Sequence, residues 1–163
     1  MTLRGPQRLA ILLCKFGAQE PNPKTFYQDL CVNRGSGGLN DYWIAASLGA
    51  INLDGSQVFG WKTLDTTNED FQTANPTHTE KIQAAISAHD VDVKQFVGVI
   101  AIFDVNVGSG GGTGAHVPTG SVLAAQPRDV QLTWLAHETG HMFGLEHSFD
   151  HSARKVRADN QEG

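Results

Sequence analysis

Three histidines and a glutamate near the C-terminus have a spacing that suits metal chemistry. Residues 137–147 read HETGHMFGLEH. On a helix, side chains at positions i and i+4 lie on one face, so His137 and His141 would direct two imidazoles to one point. Gly144 is expected to end this helix, which lets the chain turn and bring His147 back as a third nitrogen ligand. Three protein ligands leave one position open for water, as in a catalytic zinc site.

Glu138 lies one position further round the same predicted helix, where it can reach a water on the metal. Zinc lowers the pKa of such a water toward about 7 and polarises a carbonyl group. A carboxylate beside it can take the water's proton and later pass it to the leaving amine. The ordinary alternative is two surface histidines beside a glutamate, but five specified positions agree by chance with a likelihood on the order of one in ten thousand. The pattern therefore predicts a hydrolytic zinc site.

The motif H-E-x-x-H-x-x-G-x-x-H resembles the extended zinc-binding signature of the metzincin metallopeptidases. Upstream, Asp41–Leu64 resembles the segment that precedes the catalytic helix in immune inhibitor A-type secreted peptidases. The resemblance implies a metzincin-like zincin domain that hydrolyses peptide bonds, built from a twisted mixed sheet, a backing helix and an active-site helix at the floor of a cleft. An edge strand of such enzymes pairs with extended substrate, and Thr119–Ala125 is predicted to be that strand.

The sequence departs from the family pattern after the third histidine. Immune inhibitor A-type peptidases often carry Asp as the third ligand, where this chain has His147. Metzincins have a methionine turn downstream of that ligand, whereas the methionines here are Met1 and Met142. The lower subdomain is therefore expected to be absent or truncated. Two functions stay open: a zinc metalloendopeptidase that uses Glu138, and a zinc-binding domain without turnover.

Composition narrows the classes of partner. The chain is 40% hydrophobic and 18% charged, which is ordinary for a soluble globular protein. A formal net charge of −5 without basic clusters argues against nucleic acid, and no apolar run approaches the length of a membrane-spanning helix. We expect a peptide or protein substrate, whose preferred side chain stays open, as does the oligomeric state. A secreted location is implied only by the family resemblance, because no signal peptide is visible.

The two cysteines are too few for a disulfide framework. Cys14 lies in an apolar run and is expected to be a buried free thiol, with a Cys14–Cys31 bridge as the open alternative. The segment Asn106–Gly114 is rich in glycine and is expected to be a mobile surface loop. Its oxygen atoms, together with Asp104, also form a candidate calcium cage. His78 and His89 are expected to be ordinary surface or helix-face residues.

Alternating apolar and helical segments predict an α/β or α+β fold with helices packed on a sheet. One domain is expected over residues 1–152, followed by a polar tail over residues 153–163 that is expected to be disordered. Strands are predicted at Arg8–Phe16, Phe96–Phe103 and Thr119–Ala125, and a hairpin joining Ala50–Leu53 to Gln57–Leu64. Helices are predicted at Lys24–Val32, Leu39–Leu48, Thr79–His89 and from about Val130 to Phe143, the last capped by Asp129.

Overall fold

The computed structural model describes residues 3–113 and 120–146, and within them the chain is a mixed α/β structure. The α/β or α+β prediction is confirmed at that level. The strands are Gly5–Pro6 (β1), Leu9–Lys15 (β2), Ile51–Asn52 (β3), Gln57–Thr63 (β4), Gly98–Phe103 (β5), Gly110–Thr113 (β6) and Gly120–Ala125 (β7). The helices are Lys24–Cys31 (α1), Leu39–Ala46 (α2), Asn68–Ala74 (α3), His78–His89 (α4) and Leu132–Met142 (α5).

The main sheet has five strands in the order β4-β2-β5-β7-β6. The first four strands run parallel to one another, and β6 pairs antiparallel with β7 at one edge. Every residue of β5 is buried, as expected for a strand that lies inside a parallel sheet with both faces covered. The predicted strands at Arg8–Phe16 and Phe96–Phe103 are confirmed, and so is the parallel pairing of the second. β1 and β3 form a separate parallel pair.

Helices cover the sheet on both faces, because successive side chains of a strand point to opposite sides. On one face, Leu9, Ile11 and Leu13 of β2 pack with α1, α2 and α5. On the other face, the intervening positions of β2 pack with α3 and α4. The helix α4 begins with a capping box, in which the Thr77 side chain accepts from the backbone N–H of Glu80 and the Glu80 side chain accepts from that of Thr77.

The predicted hairpin around Asp54 and Gly55 is wrong. Its first strand, β3, pairs with β1, and its second, β4, pairs in parallel with β2. The turn itself is present. Leu53, which precedes it, is held against α2, because its N–H donates a hydrogen bond to Asn40 Oδ1 at 2.8 Å. Val58 is buried in the core beside β2. Burial against the long apolar strand β2 therefore decided the pairing, and the local turn did not.

The predicted edge strand is also misplaced. The described part of Thr119–Ala125 is β7, which lies inside the sheet between β5 and β6. The edge is β6, in a segment predicted to be a loop. All six residues of β7 are buried, which suits an interior strand. Glycines give a strand no alternation of apolar and polar side chains, so the hydrophobic pattern could not reveal β6.

Two further predictions are corrected by the contacts. Asp129 does not cap α5: its Oδ2 accepts from the N–H of Ala125 at 3.1 Å and so closes the turn after β7. The helix begins later, after Gln131, which makes no side-chain cap. Cys14 and Cys31 are both buried and free, so the bridge is absent. Burial raises the pKa of each thiol to about 12, as expected for structural cysteines.

Candidate metal centre

Helix α5 carries the predicted ligands, and its rotation about its own axis is fixed by buried contacts. Leu135 and Met142 are fully buried against the sheet. Thr139, also fully buried, accepts a hydrogen bond from Trp43 Nε1 at 3.0 Å and donates one to the carbonyl of Leu135 at 2.7 Å. Phe143 packs edge-on against Trp43. With this side of α5 held against α2 and the sheet, His137 and His141 face the outside of the core.

The two histidines meet at their Nε2 atoms, which are 3.1 Å apart. Their rings are perpendicular, with centroids 4.6 Å apart. The Nδ1–H of His141 donates to the carbonyl of Leu145 at 2.8 Å, so in the neutral ring its Nε2 carries the lone pair that a metal needs. Gly144 makes this contact possible: its φ of 83° is left-handed, and it turns the chain back as predicted.

The spacing of these nitrogens fits zinc. Two nitrogens bound at about 2.0–2.1 Å to a tetrahedral ion are separated by about 3.3 Å, close to the distance between His137 and His141. Within residues 3–113 and 120–146, no three metal-binding side chains come together. The predicted third ligand, His147, lies outside the described residues, as does the tail over residues 153–163. The described part of the site thus supplies two of the three predicted donors.

Glu138 lies beside the histidine pair and under the edge strand. Its Oε1 is 4.0 Å from His137 Nε2, and its side chain is only 13% exposed. The strand above it comes close at Gly111: a Cβ atom there would lie 2.7 Å from the Glu138 carbonyl oxygen and 3.0 Å from Oε2. Only glycine fits at that distance. The strand β6 therefore limits where the Glu138 carboxylate can lie, a role that the sequence did not indicate.

A cleft opens on the opposite side of the histidine pair, between α2 and α5. Its volume is about 330 Å³. Trp43 is 5% exposed and packs in the core, and it forms part of the cleft wall as well. Sequence reasoning missed the cleft because α2 and α5 are some ninety residues apart in the chain. The lining consists of Tyr42, Trp43, Ala136, His137, Gly140, His141, Leu145 and Glu146.

The two histidines of α4 lie on the helix face as expected, His78 exposed and His89 partly exposed, and each also contacts a strand. His78 Nε2 is 3.0 Å from Ser121 Oγ, and His89 Nε2 donates to the carbonyl of Leu13 at 3.0 Å. Burial lowers the pKa of both imidazoles. Each histidine therefore joins α4 to a strand of the sheet, and this is a structural role.

The calcium prediction concerns Asp104, Asn106 and the glycine-rich segment. Here Asn106 Oδ1 accepts from the N–H of Gly108 at 3.0 Å, and the Lys81 ammonium donates to the carbonyl of Val107 at 2.6 Å. Burial raises the pKa of Asp104. The positive charge of the Lys81 ammonium on this loop disfavours the binding of a calcium ion beside it. The predicted cage also includes Gly114, which lies outside the described residues. Calcium binding stays a prediction that these contacts do not support.

No family model matches the chain, and neither the search of curated proteins nor the search of solved structures finds a match. Among the described helices, none is both long and apolar enough to cross a membrane.

Proposed function

We propose that this protein is a zinc-dependent metalloendopeptidase of the metzincin type, secreted as the family resemblance implies. The observation that carries the proposal is the pair of Nε2 atoms of His137 and His141, 3.1 Å apart, with Glu138 beside them under an edge strand. The mixed sheet, the active-site helix beside a cleft and the position of β6 at the end of the strand order are features that the resemblance implies, and they support the proposal.

His137, His141 and His147 would hold the ion. Zinc at such a site supplies a Lewis acid that polarises a carbonyl and lowers the pKa of a water toward about 7. Glu138 acts as the general base: its carboxylate takes a proton from the attacking water and gives it to the leaving amine. Because Gly111 has no side chain, β6 leaves room for the carboxylate on the side of α5 that faces this strand. The outer edge of β6 would pair with the main chain of an extended peptide by strand addition.

The proposal is tested on the full chain with zinc, using an unfolded protein as substrate. Glu138→Gln keeps the shape of the side chain and removes the base, so hydrolysis should fall by roughly 10²–10⁴-fold while bound zinc is retained. The matched control is Glu69→Gln, an exposed acidic residue in the first turn of α3, which should leave hydrolysis unchanged. A zinc-loaded parent chain that cleaves no member of a broad peptide library would contradict the peptidase function and leave a zinc-binding domain without turnover.

A further inference from the structure

The two sides of the active-site helix differ in what they place next to the histidine pair. Each residue of an α-helix is rotated by about 100° from the last. Glu138 therefore points to one side of His137 and His141, toward β6. Ala136 and Gly140 point to the other side, toward α2, where the cleft of about 330 Å³ opens. A peptide that crosses the histidine pair has the edge strand on one side and this cleft on the other.

The cleft has polar groups at His137, His141 and Glu146, and the rest of its lining is apolar or aromatic and partly exposed. Tyr42 is 42% exposed and Leu145 is 57% exposed, and both line the cleft. Trp43 packs edge-on between Tyr42 and Phe143, with ring centroids 5.3 and 5.1 Å away, so Tyr42 is backed by a buried ring. Exposed apolar surface next to a reactive centre is typical of a binding site.

Gly140 keeps the floor of the cleft open. A Cβ atom built there would lie 3.7 Å from Leu145 Cδ1 and 3.8 Å from the Trp43 ring. Those are ordinary contact distances, so alanine fits without a clash and would fill part of the space between the two walls. The glycine is therefore not required by backbone conformation or by packing, and its lack of a side chain is what gives the cleft its depth.

We propose that Tyr42, Gly140 and Leu145 form a pocket for one large apolar side chain of the peptide substrate, of the leucine or phenylalanine class, and that Tyr42 determines this preference. The inference rests on the proposed peptidase function. The cleft volume is at the lower end of the range for small-molecule sites, about 300–1,000 Å³, which suits one side chain with its adjacent main chain. A folded partner would need a much larger surface.

Binding is measured separately from hydrolysis, with zinc-loaded Glu138→Gln as the host chain. The probes are unstructured peptides that differ at one position, which is Gly, Ala, Leu, Phe or Lys. Leu and Phe peptides should bind about tenfold more tightly than the Gly peptide, since one or more methylenes in an apolar pocket contribute about 10–200-fold. Adding Gly140→Ala should remove most of that preference and leave the affinity of the Gly peptide unchanged. Adding Tyr42→Ala should do the same.

Two controls separate the pocket from general effects. Phe26→Ala removes an aromatic residue of similar exposure, 40%, on α1, and it should leave the preference intact. The thermal midpoint of the Gly140→Ala chain should equal or exceed that of its host, because alanine favours a helix over glycine. Equal affinities for the Gly, Leu and Phe peptides would contradict the proposed pocket. A preference for the Lys peptide that Glu146→Gln removes would overturn it as well.

The pocket and the peptidase function can fail independently. If the parent chain hydrolyses peptides with zinc but shows no preference at the variable position, the pocket is refuted and the function stands. If the host chain binds Leu and Phe peptides in the Gly140-dependent way but the parent chain hydrolyses none, the pocket stands and the peptidase function is refuted.

Discussion

The two faces of the sheet each carry a pair of histidines, and the pairs differ in what they contact. On the α4 face, His78 bonds to Ser121 Oγ and His89 to the carbonyl of Leu13. On the α5 face, His137 and His141 meet each other at the edge of a cleft. The first pair, of which His78 is exposed and His89 partly exposed, joins a helix to strands. The second pair is directed toward the place where a ligand can enter.

Spacing along the helix explains the difference. His78 and His89 are the first and last residues of α4, so about 16 Å of helix separates them and they cannot bind one ion together. His137 and His141 are one turn apart, and their nitrogens converge. The position of histidines on a helix, more than their number, therefore distinguishes a metal site from a packing role.

Zinc affinity is the largest difference expected between the two pairs. Replacement of His141 by alanine removes a predicted ligand, and the affinity for zinc should fall by more than about 100-fold, since even loss of a group that only orients a ligand costs about 10–100-fold. His89→Gln, the matched change on the opposite face, should leave zinc affinity unchanged. Calorimetric titration of each full-length variant with zinc measures both. Equal losses in the two variants would refute the comparison.

A smaller effect is expected where the edge strand approaches Glu138. Alanine at Gly111 would place Cβ 2.7 Å from the Glu138 carbonyl oxygen, and overpacking of this kind costs about 1–3 kcal/mol. The carboxylate should be displaced, so kcat/KM should fall by about tenfold while zinc affinity is retained. Gly60→Ala, on the other edge strand β4, is the control: its Cβ meets nothing nearer than Lys24 Cδ at 3.8 Å. Parental activity in Gly111→Ala would show that β6 does not position Glu138.

The smallest effect concerns the stability of the α4 face as a function of pH. Burial lowers the pKa of His89, and Lys62 adds a lesser repulsion, against a hydrogen bond to Leu13 that raises it. The folded pKa is therefore below the ordinary value of 6.5. As the pH falls below that value, the unfolded chain takes up a proton that the folded chain does not. The stability that neutral His89 contributes is thus present above pH 6.5 and is lost as the pH falls toward the lowered pKa.

Urea unfolding of the metal-free chain at pH 7.5 and pH 5 measures this contribution. His89→Gln should be about 1 kcal/mol less stable at pH 7.5 because the shorter reach of the amide disturbs a partly buried hydrogen bond to Leu13. Its further loss of stability on acidification should be smaller than that of the parent, since one titrating group is gone. A parent and variant that lose stability equally between the two pH values would show that His89 is not protonated on unfolding in this range.

The sequence predicted those parts of the molecule that depend on local pattern. The apolar runs of β2 and β5 and the turn at Gly144 follow from neighbouring residues, and so does the meeting of His137 with His141. In each case the interacting groups are a few residues apart, or the strand is apolar throughout.

Other features depend on contacts between distant segments, and local pattern could not give them. The glycine strand β6 has no side-chain pattern, and it forms because β7 offers an open edge. β4 pairs with β2 rather than with its neighbour in sequence. The cleft requires α2 and α5 to meet through Trp43 and Thr139, which lie far apart in the chain.

The most direct test of the zinc site is the metal content of the purified full-length chain after reconstitution at neutral pH and removal of unbound metal. Neutral pH is used because zinc binds the deprotonated form of imidazole. Elemental analysis should give about one zinc ion per chain, and the double variant His137→Ala/His141→Ala should retain almost none. Less than about half a zinc ion in the parent chain, or equal zinc in the parent and the double variant, would contradict the assignment.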